Sequence, residues 1–125
     1  VGPTPSKPGQ VFGSGGPTTS GRMDAYSPRL IELGLHAMIG KGYRNDAVKK
    51  AIVDYCGVYF GAIGGAGAMM SSCIEECETI AFDDIGPEAI RKLKVKNMPL
   101  VVVIDHLGND LYEIGRKNYL KNDCQ

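Results

Sequence analysis

The segment Leu35–Ile63, L-H-A-M-I-G-K-G-Y-R-N-D-A-V-K-K-A-I-V-D-Y-C-G-V-Y-F-G-A-I, decides the fold. Leu35–Ile39 and Val58–Ile63 are short apolar stretches that predict two buried strands. Between them, Asn45 is a candidate N-cap, and apolar residues then repeat at helical spacing: Ala47, Val48, Ala51, Ile52, Tyr55 and Cys56. A strand, a helix and a second strand in this order are typical of α/β proteins.

Further elements extend this alternation in both directions. Ser27 and Pro28 predict a helix start and Gly34 its end. Downstream, the sequence predicts helices at Ala66–Ile74 and Pro87–Leu93, strands at Thr79–Phe82 and Leu100–Asp105, a turn around Gly108-Asn109 with Leu111–Ile114 as hairpin partner, and a tail at 118–125. We therefore expect an α/β fold with a mainly parallel central sheet.

Composition excludes several classes of protein. The chain has 125 residues, of which 43% are hydrophobic and 22% charged, as expected for one globular domain. Fourteen basic residues balance 14 acidic ones, so we expect neither a nucleic-acid partner nor an anionic membrane partner. No apolar run reaches the ~18 residues of a membrane span. The first ten residues show no secretory signal, so we expect a cytoplasmic protein.

The four cysteines are Cys56, Cys73, Cys77 and Cys124, and reduced thiols are expected in the cytosol. Cys73 and Cys77 are four residues apart on a possible helix and could supply two metal ligands. No nearby histidine completes such a set, because His36 and His106 are distant in sequence. Two small buried side chains are the simpler interpretation.

The segment with the most chemistry is Gly13–Asp24, G-S-G-G-P-T-T-S-G-R-M-D. Glycine-rich backbone before a helix favours an anion, and Arg22 can hold a carboxylate or phosphate with two hydrogen bonds. Thr18 and Thr19 can donate to the same oxygens. Gly16–Gly21 has P-loop spacing, but Arg22-Met23 replaces the required Lys-[Ser/Thr], which argues against a nucleotide. A structural loop with Arg22 in an ion pair is the alternative.

Lys41 is a second candidate because it follows a predicted strand and lies between two glycines, where it could approach a ligand closely. An ordinary turn lysine is the alternative. Gly64–Gly67 could bind an anion or allow tight packing, and Asp105 is a candidate by position only. We expect His106 in a turn and His36 packed or capping.

Four ordered blocks resemble the β subunit of iron–sulfur (class I) fumarate hydratases, which is also the C-terminal domain of the single-chain enzymes and the β subunit of L-tartrate dehydratase. The blocks are G-P-T-T-S-G-R-M-D (Gly16–Asp24), M-I-G-K-G (Met38–Gly42), Y-F-G-A-I-G-G-A (Tyr59–Ala66) and V-V-V-I-D-H-L-G-N-D-L-Y (Val101–Tyr112). The resemblance extends from Val1 to about Lys117, and several ordered blocks over that length make it more specific than any single motif.

The resemblance implies a swivelling β/β/α three-layer fold, with residues 1–125 as a single fumarase β-type domain. It implies a hydro-lyase of the tricarboxylic acid cycle, active only with an α subunit, that hydrates fumarate reversibly to (S)-malate. A [4Fe–4S] cluster ligated by that α subunit, and not by this chain, would act as a Lewis acid on the leaving hydroxyl. The active site would lie between the two subunits of a heterotetramer or homo-oligomer.

The same resemblance assigns site residues. Thr18, Thr19 and Arg22 match the family's T-T-x-x-R segment, and Lys41 matches its G-K-G lysine. All four are then predicted to bind substrate, and Thr18 and Lys41 to be catalytic, with Thr18 as the proton-transferring base. A threonine is a weak base and would need activation by the cluster, by Lys41 or by a partner carboxylate.

Three alternatives stay open. The chain could be an L-tartrate dehydratase β subunit, a non-catalytic interaction domain of the same fold, or an independent anion-binding module. It also departs from the family, whose β subunits have a further N-terminal segment carrying another substrate-binding arginine. We therefore expect a domain that is truncated at its N-terminus.

Overall fold

The computed structural model describes residues 2–117 and 119–120, which form a mixed α/β fold. The elements in chain order are a 3-10 turn (Ser20–Met23), α1 (Ser27–Glu32), β1 (Ala37–Gly40), α2 (Asp46–Asp54), β2 (Val58–Gly61), α3 (Gly67–Ser72), β3 (Ile74–Ala81), a second 3-10 segment (Asp83–Glu88), β4 (Ile90–Val95), β5 (Val101–Ile104) and α4 (Leu111–Lys117). The chain divides into two compact units. The first comprises the residues before Thr19 together with Ala62–Leu100, and the second comprises Thr19–Gly61 and the residues from Val101 onward.

The second unit contains a three-stranded sheet in the order β1-β2-β5. β1 and β2 are parallel, with Ala37 opposite Val58 and Gly40 opposite Gly61, whereas β5 is antiparallel to β2. The core of this unit comprises Ile31, Val48, Ala51, Ile52, Tyr59, Val103 and Ile104. The predicted apolar face of α2 is confirmed, because Val48, Ala51 and Ile52 all lie in that core.

A side-chain hydrogen bond stabilises each end of α2. The Asn45 side chain accepts a hydrogen bond from the Val48 amide at 2.9 Å, so the predicted N-cap is confirmed. His36 Nδ1 lies 3.2 Å from the carbonyl oxygen of Tyr55, the C-cap residue, which confirms the predicted capping role of His36. The helix that carries the core of this unit is therefore bounded by side-chain hydrogen bonds at each end.

The first unit contains an antiparallel ribbon of β3 and β4, and the predicted helix Pro87–Leu93 is wrong. Glu76 faces Lys94 and Glu78 faces Lys92 across the ribbon, so opposite charges pair between the strands. The Lys94 ammonium donates to Glu76 Oε1 at 2.6 Å. The basic residues Lys92 and Lys94 of β4 therefore match acidic residues of β3.

The hairpin strand predicted at Leu111–Ile114 is also wrong, because Leu111–Lys117 is helix α4. Asp110 caps this helix, and its Oδ1 accepts a hydrogen bond from the Tyr112 amide at 2.9 Å. The predicted turn after β5 is present, with His106 in it as expected. A capping aspartate after the turn redirects the chain into a helix.

The prediction of a mainly parallel sheet is wrong as well, since one strand pair is parallel and two are antiparallel in the described residues. The predicted tail 118–125 lies outside the described residues except for Tyr119 and Leu120. Among the described residues, every helix is too short or too polar to cross a bilayer.

Candidate functional site

Two motifs that are separate in the sequence meet at the carboxyl end of β1. Thr19 and Lys41 form a parallel β-bridge, and the Ser20 amide donates to the Lys41 carbonyl oxygen at 3.0 Å. Arg22 lies in the 3-10 turn that follows, where its amide contacts the Thr19 carbonyl oxygen at 3.5 Å. Three of the four predicted site residues therefore lie at one edge of one unit. Thr18 belongs to the first unit, where it ends the N-terminal segment, and is exposed.

The two positions around Lys41 require glycine for different structural reasons. Gly40 is buried against the turn, and a β-carbon on it would overlap the Ser20 hydroxyl. Gly42 has φ +84°, a left-handed conformation that glycine adopts without strain. The G-K-G motif thus permits close approach of the turn on one side of Lys41 and a sharp change of chain direction on the other.

The side chains of Arg22 and Lys41 differ from the other basic side chains of Thr19–Gly61. Arg29, Arg44, Lys49 and Lys50 each pair with a carboxylate. Within the described residues, neither Arg22 nor Lys41 pairs with a carboxylate. Arg22 is exposed and Lys41 is half-buried. Both positive charges are therefore available to an anion from outside the unit.

A buried ion pair between Arg44 and Asp24 stabilises the chain just after the 3-10 turn. Arg44 is 5% exposed, and its Nε donates to Asp24 Oδ1 at 2.6 Å. Its second terminal nitrogen donates to Ser27 Oγ at 2.7 Å, while the Asn45 amide donates to Asp24 Oδ2 at 2.7 Å. Both oxygens of Asp24 are thus occupied, and this carboxylate does not neutralise the neighbouring Arg22.

Tyr59 is a second buried support. Its side chain is fully buried in β2, and its hydroxyl lies 3.1 Å from Ser20 Oγ and 3.1 Å from the Gly42 carbonyl oxygen. The Arg44 guanidinium lies 5.1 Å from the centre of the Tyr59 ring. Burial raises the pKa of Tyr59, and the hydrogen bond with Ser20 counteracts part of that effect. The phenol is therefore neutral at physiological pH.

Sequence reasoning missed Ser20, Asp24, Arg44 and Tyr59 as parts of the site. One signal was available for Tyr59, because a tyrosine in a strand predicted to be buried needs a partner for its hydroxyl. Nothing in the local sequence distinguishes Arg44 from a surface arginine. Its burial is a consequence of tertiary structure.

Other predicted candidates have structural roles. Asp105 accepts hydrogen bonds from the amides of Leu107 and Asn109 and from the Asn109 side chain, which lowers its pKa. It closes the turn after β5. A β-carbon on Gly67 would lie 2.9 Å from Ser14 Oγ, so tight packing explains Gly67, whereas Gly65 has φ +81°, a conformation that favours glycine.

The cysteines do not form a metal centre in the described residues. Cys73 ends α3 and Cys77 lies in β3, so the two do not share a helix face. No group of three or more His, Cys, Asp or Glu residues that could hold a metal ion occurs in residues 2–117 and 119–120. Cys124 lies outside the described residues. Since iron–sulfur clusters need several cysteine thiolates, the described residues do not fit a cluster.

The arrangement suits the recognition of a small carboxylate. A guanidinium can bind both oxygens of one carboxylate, and an ammonium nearby adds a second positive charge. The hydroxyls of Thr18 and Thr19 form no hydrogen bond with other described residues, so they can donate to a ligand. The second unit thus presents two cations and the Thr19 hydroxyl on two segments that meet at the end of β1.

Comparison with known proteins finds relatives of this chain. A family model described as Fumarase C-terminus matches residues 1–115. The chain is 37% identical over 115 residues to "Fumarate hydratase class I, aerobic" of Escherichia coli K12, which covers 90% of this chain and 21% of that protein. It is 38% identical over 115 residues to "Fumarate hydratase 1, mitochondrial" of Leishmania major, with the same coverages of 90% and 21%.

A shorter relative is also similar. The chain is 38% identical over 111 residues to "Putative L(+)-tartrate dehydratase subunit beta" of Methanocaldococcus jannaschii, covering 85% of this chain and 57% of that protein. The chain therefore spans 21% of the two fumarate hydratases and 57% of the Methanocaldococcus protein. All four predicted site residues lie inside the segment that the family model matches.

Proposed function

Because this chain belongs to the Fumarase C-terminus family, we propose that it supplies one half of the active site of a hydro-lyase. The reaction is the reversible hydration of fumarate to (S)-malate, and the chain acts as a β-type module with an α subunit. Residues 1–125 act as one swivelling domain of this enzyme, in the cytoplasm. The assembly is a heterotetramer or a homo-oligomer.

The observation that carries this proposal is the pairing of Thr19 with Lys41. It brings Arg22 and Lys41, the two basic residues of Thr19–Gly61 without a carboxylate partner among the described residues, to one edge of β1. A dicarboxylate needs a cationic clamp for each of its ends. The proposal assigns one such clamp to Arg22 and Lys41, and the other to the partner.

Hydration adds a hydroxyl to one carbon of the double bond and a proton to the next. We assign the proton-transferring role to Thr18, which needs activation by the cluster, by Lys41 or by a carboxylate of the partner. Thr19 donates a hydrogen bond to the bound carboxylate or hydroxyl. The proposal places the [4Fe–4S] cluster on the α subunit, as the resemblance to class I fumarate hydratases implies.

The test uses the protein in the full length that its gene encodes, mixed anaerobically with its cluster-loaded α subunit. Loss of fumarate is followed, with L-tartrate in a parallel assay. We expect fumarate turnover that falls by at least about a hundredfold in Arg22→Ala and in Lys41→Met, as for loss of a charged substrate contact. Lys50→Met is the matched control, because Lys50 forms only an exposed pair with Asp54.

Different results would favour the alternatives. Stable association with the α subunit but no turnover of either substrate would indicate a non-catalytic interaction domain. Malate binding by this chain alone, lost in Arg22→Ala, would indicate an independent anion-binding module. Each result would contradict the proposed half-site.

L-tartrate dehydration is the second candidate function, favoured by the similarity to the Methanocaldococcus protein, whose name gives that activity. Tartrate carries one hydroxyl more than malate, so the ratio of kcat/KM for the two substrates separates the candidates. A ratio above one for L-tartrate over malate would overturn fumarate hydration as the principal reaction.

A further inference from the structure

The Tyr59 hydroxyl lies between the two segments that carry the candidate cations. It is 3.1 Å from Ser20 Oγ on the turn that carries Arg22, and 3.1 Å from the carbonyl oxygen of Gly42, the residue after Lys41. The carbonyl oxygen can only accept, so the Tyr59 hydroxyl donates to it. The Ser20 hydroxyl then completes the chain as the donor to the Tyr59 oxygen.

We propose that Tyr59 is a positioning residue that fixes the Arg22 turn against the Lys41 loop and so sets the spacing of the two cations. The kinetic part of this inference rests on the proposed function, whereas the structural part does not. Tyr59 does not touch the ligand, because its side chain is fully buried. It acts on the anion site through Ser20 and through the Gly42 backbone.

Three features of the structure suit Tyr59 to this role. The ring is fixed in the core with Val48, Ile52 and Ile104, so the hydroxyl has little freedom. Burial keeps the phenol protonated, so its donor to Gly42 is present over the physiological pH range. The buried Arg44 guanidinium above the ring is itself held by Asp24, which follows the same turn.

The backbone pairing alone does not hold the turn firmly. Thr19 and Lys41 form an isolated bridge outside the strands, and the Ser20 amide to Lys41 carbonyl bond is the one backbone hydrogen bond between the turn and the loop in the described residues. No side-chain cap stabilises the start of the 3-10 turn. A hydroxyl that bonds to both segments therefore supplies much of their mutual order.

The first measurement is amide hydrogen exchange on the full-length chain and its Tyr59→Phe variant, which keeps the ring and removes only the oxygen. We expect the Ser20 amide to exchange about tenfold faster in the variant, while the amides of α2 stay within about twofold. Tyr55→Phe is the matched control, because the Tyr55 hydroxyl has no hydrogen bond with other described residues. Unchanged exchange at Ser20 would overturn the inference.

The second measurement is steady-state kinetics of the assembled complex. Tyr59→Phe should raise KM for fumarate by about five- to tenfold, because it removes the hydrogen bonds to Ser20 and to Gly42, with kcat within about twofold. A variant that merely folds less well would lower apparent kcat and leave KM unchanged, and that result would overturn the inference. Ser20→Ala should raise KM by a smaller factor, because it removes only the Ser20 bond, and combining it with Tyr59→Phe should add little, because Tyr59→Phe already removes both bonds.

The two measurements separate the inference from the proposed function. A wild-type complex without turnover would overturn the proposed function, and Ser20 exchange alone would then decide whether Tyr59 holds the turn. Faster exchange with unchanged KM in an active complex would overturn the positioning role. Faster exchange with a raised KM would support both.

Discussion

Thr19 and Lys41 face each other in a parallel β-bridge just beyond the carboxyl end of β1. Each residue belongs to a motif that has a purely structural interpretation when considered alone, one as a glycine-rich loop and the other as a turn. The bridge places the Arg22 turn beside the Lys41 loop. As a result, the segments that carry Arg22 and Lys41, which have no carboxylate partner among the described residues, meet at one edge of the second unit. The other arginines and lysines of Thr19–Gly61 pair with carboxylates.

The close packing of Gly40 against Ser20 predicts a sensitive position. Gly40→Ala places a β-carbon where the Ser20 hydroxyl lies, so either the turn or β1 must shift. We expect a loss of about 1–3 kcal/mol in the free energy of unfolding, the usual cost of overpacking. Urea unfolding measures it, and KM for fumarate should rise because the turn carries Arg22.

Gly115→Ala is the matched control for that substitution. Gly115 lies within α4, and no atom is close to the position of its added β-carbon. Alanine should stabilise this helix by about 0.5–1 kcal/mol, because glycine is the poorer helix former. A Gly40→Ala chain as stable as wild type would show that the turn does not pack as described.

The Arg22→Lys variant tests whether the Arg22 guanidinium binds both oxygens of a carboxylate. Lysine keeps the charge but lacks the planar fork that binds two carboxylate oxygens together. We expect Arg22→Lys to recover less than about a tenth of the kcat/KM that Arg22→Ala loses. Steady-state kinetics of the assembled complex measures this. Full activity of Arg22→Lys would indicate that the position supplies charge alone.

The buried pair of Arg44 and Asp24 predicts a large loss of stability when one partner is removed. Asp24→Ala leaves a guanidinium that is almost fully buried without its carboxylate, so we expect a loss of about 3–5 kcal/mol. Asp54→Ala removes the partner of Lys50 in an exposed pair and should cost under about 1 kcal/mol. Urea unfolding of both variants makes the comparison.

A double variant distinguishes the ion pair from a loss of packing. Asp24→Ala combined with Arg44→Met removes both charges and fills the arginine site with an apolar chain, so it should recover much of the lost stability. A double variant less stable than Asp24→Ala alone would show that Arg44 contributes chiefly through its other contacts, including Ser27 and the Tyr59 ring.

Lys49 predicts a dependence of stability on alkaline pH. Its ammonium lies 2.7 Å from the buried Asp110 carboxylate and also pairs with Glu113, and these two interactions raise its pKa above 10.5. Because the folded-state pKa is raised, the stabilisation is fully present below about pH 10.5 and is lost as pH rises through the higher folded value. Lys49→Met should cost about 2 kcal/mol at neutral pH, as for a lost charged hydrogen bond.

The measurement is the difference in unfolding free energy between wild type and Lys49→Met as pH increases. That difference should be constant up to about pH 10 and then decrease, because the wild-type interaction is lost on deprotonation. The same series with Lys50→Met should be near zero throughout, since that pair is exposed. A difference that grows with pH would contradict the assigned interaction.

Several elements could be predicted from the sequence, and for definable reasons. The helical spacing of Val48, Ala51 and Ile52 predicted the buried face of α2, and Asn45 predicted where this helix begins. The apolar run at Val101–Ile104 specified β5. Each of these signals is local, because it depends on side-chain spacing or on a cap within one turn. The ordered blocks also predicted the family, which the match over residues 1–115 confirmed.

Short segments without a decisive local pattern were decided by their tertiary partners. Ile90–Val95 has a spacing compatible with a helix, but the acidic β3 strand lies opposite and pairs with it as a ribbon. Leu111–Lys117 follows a hairpin-like turn, but Asp110, paired with Lys49, caps it as a helix. The first segment is decided by pairing with the preceding strand, and the second by an adjacent cap whose carboxylate pairs with Lys49, a residue far away in the chain.

The sequence by itself determined the family, the main helix and strands of the second unit, and the types of residue available for chemistry. Only the tertiary structure decided that the turn carrying Arg22 lies against the loop carrying Lys41, and that Ser20, Asp24, Arg44 and Tyr59 stabilise these two segments. The physical reason is that ligand-binding geometry depends on hydrogen bonds and burial between distant segments. A local sequence pattern can predict a turn or a cation, but not which buried hydroxyl or ion pair holds it in place.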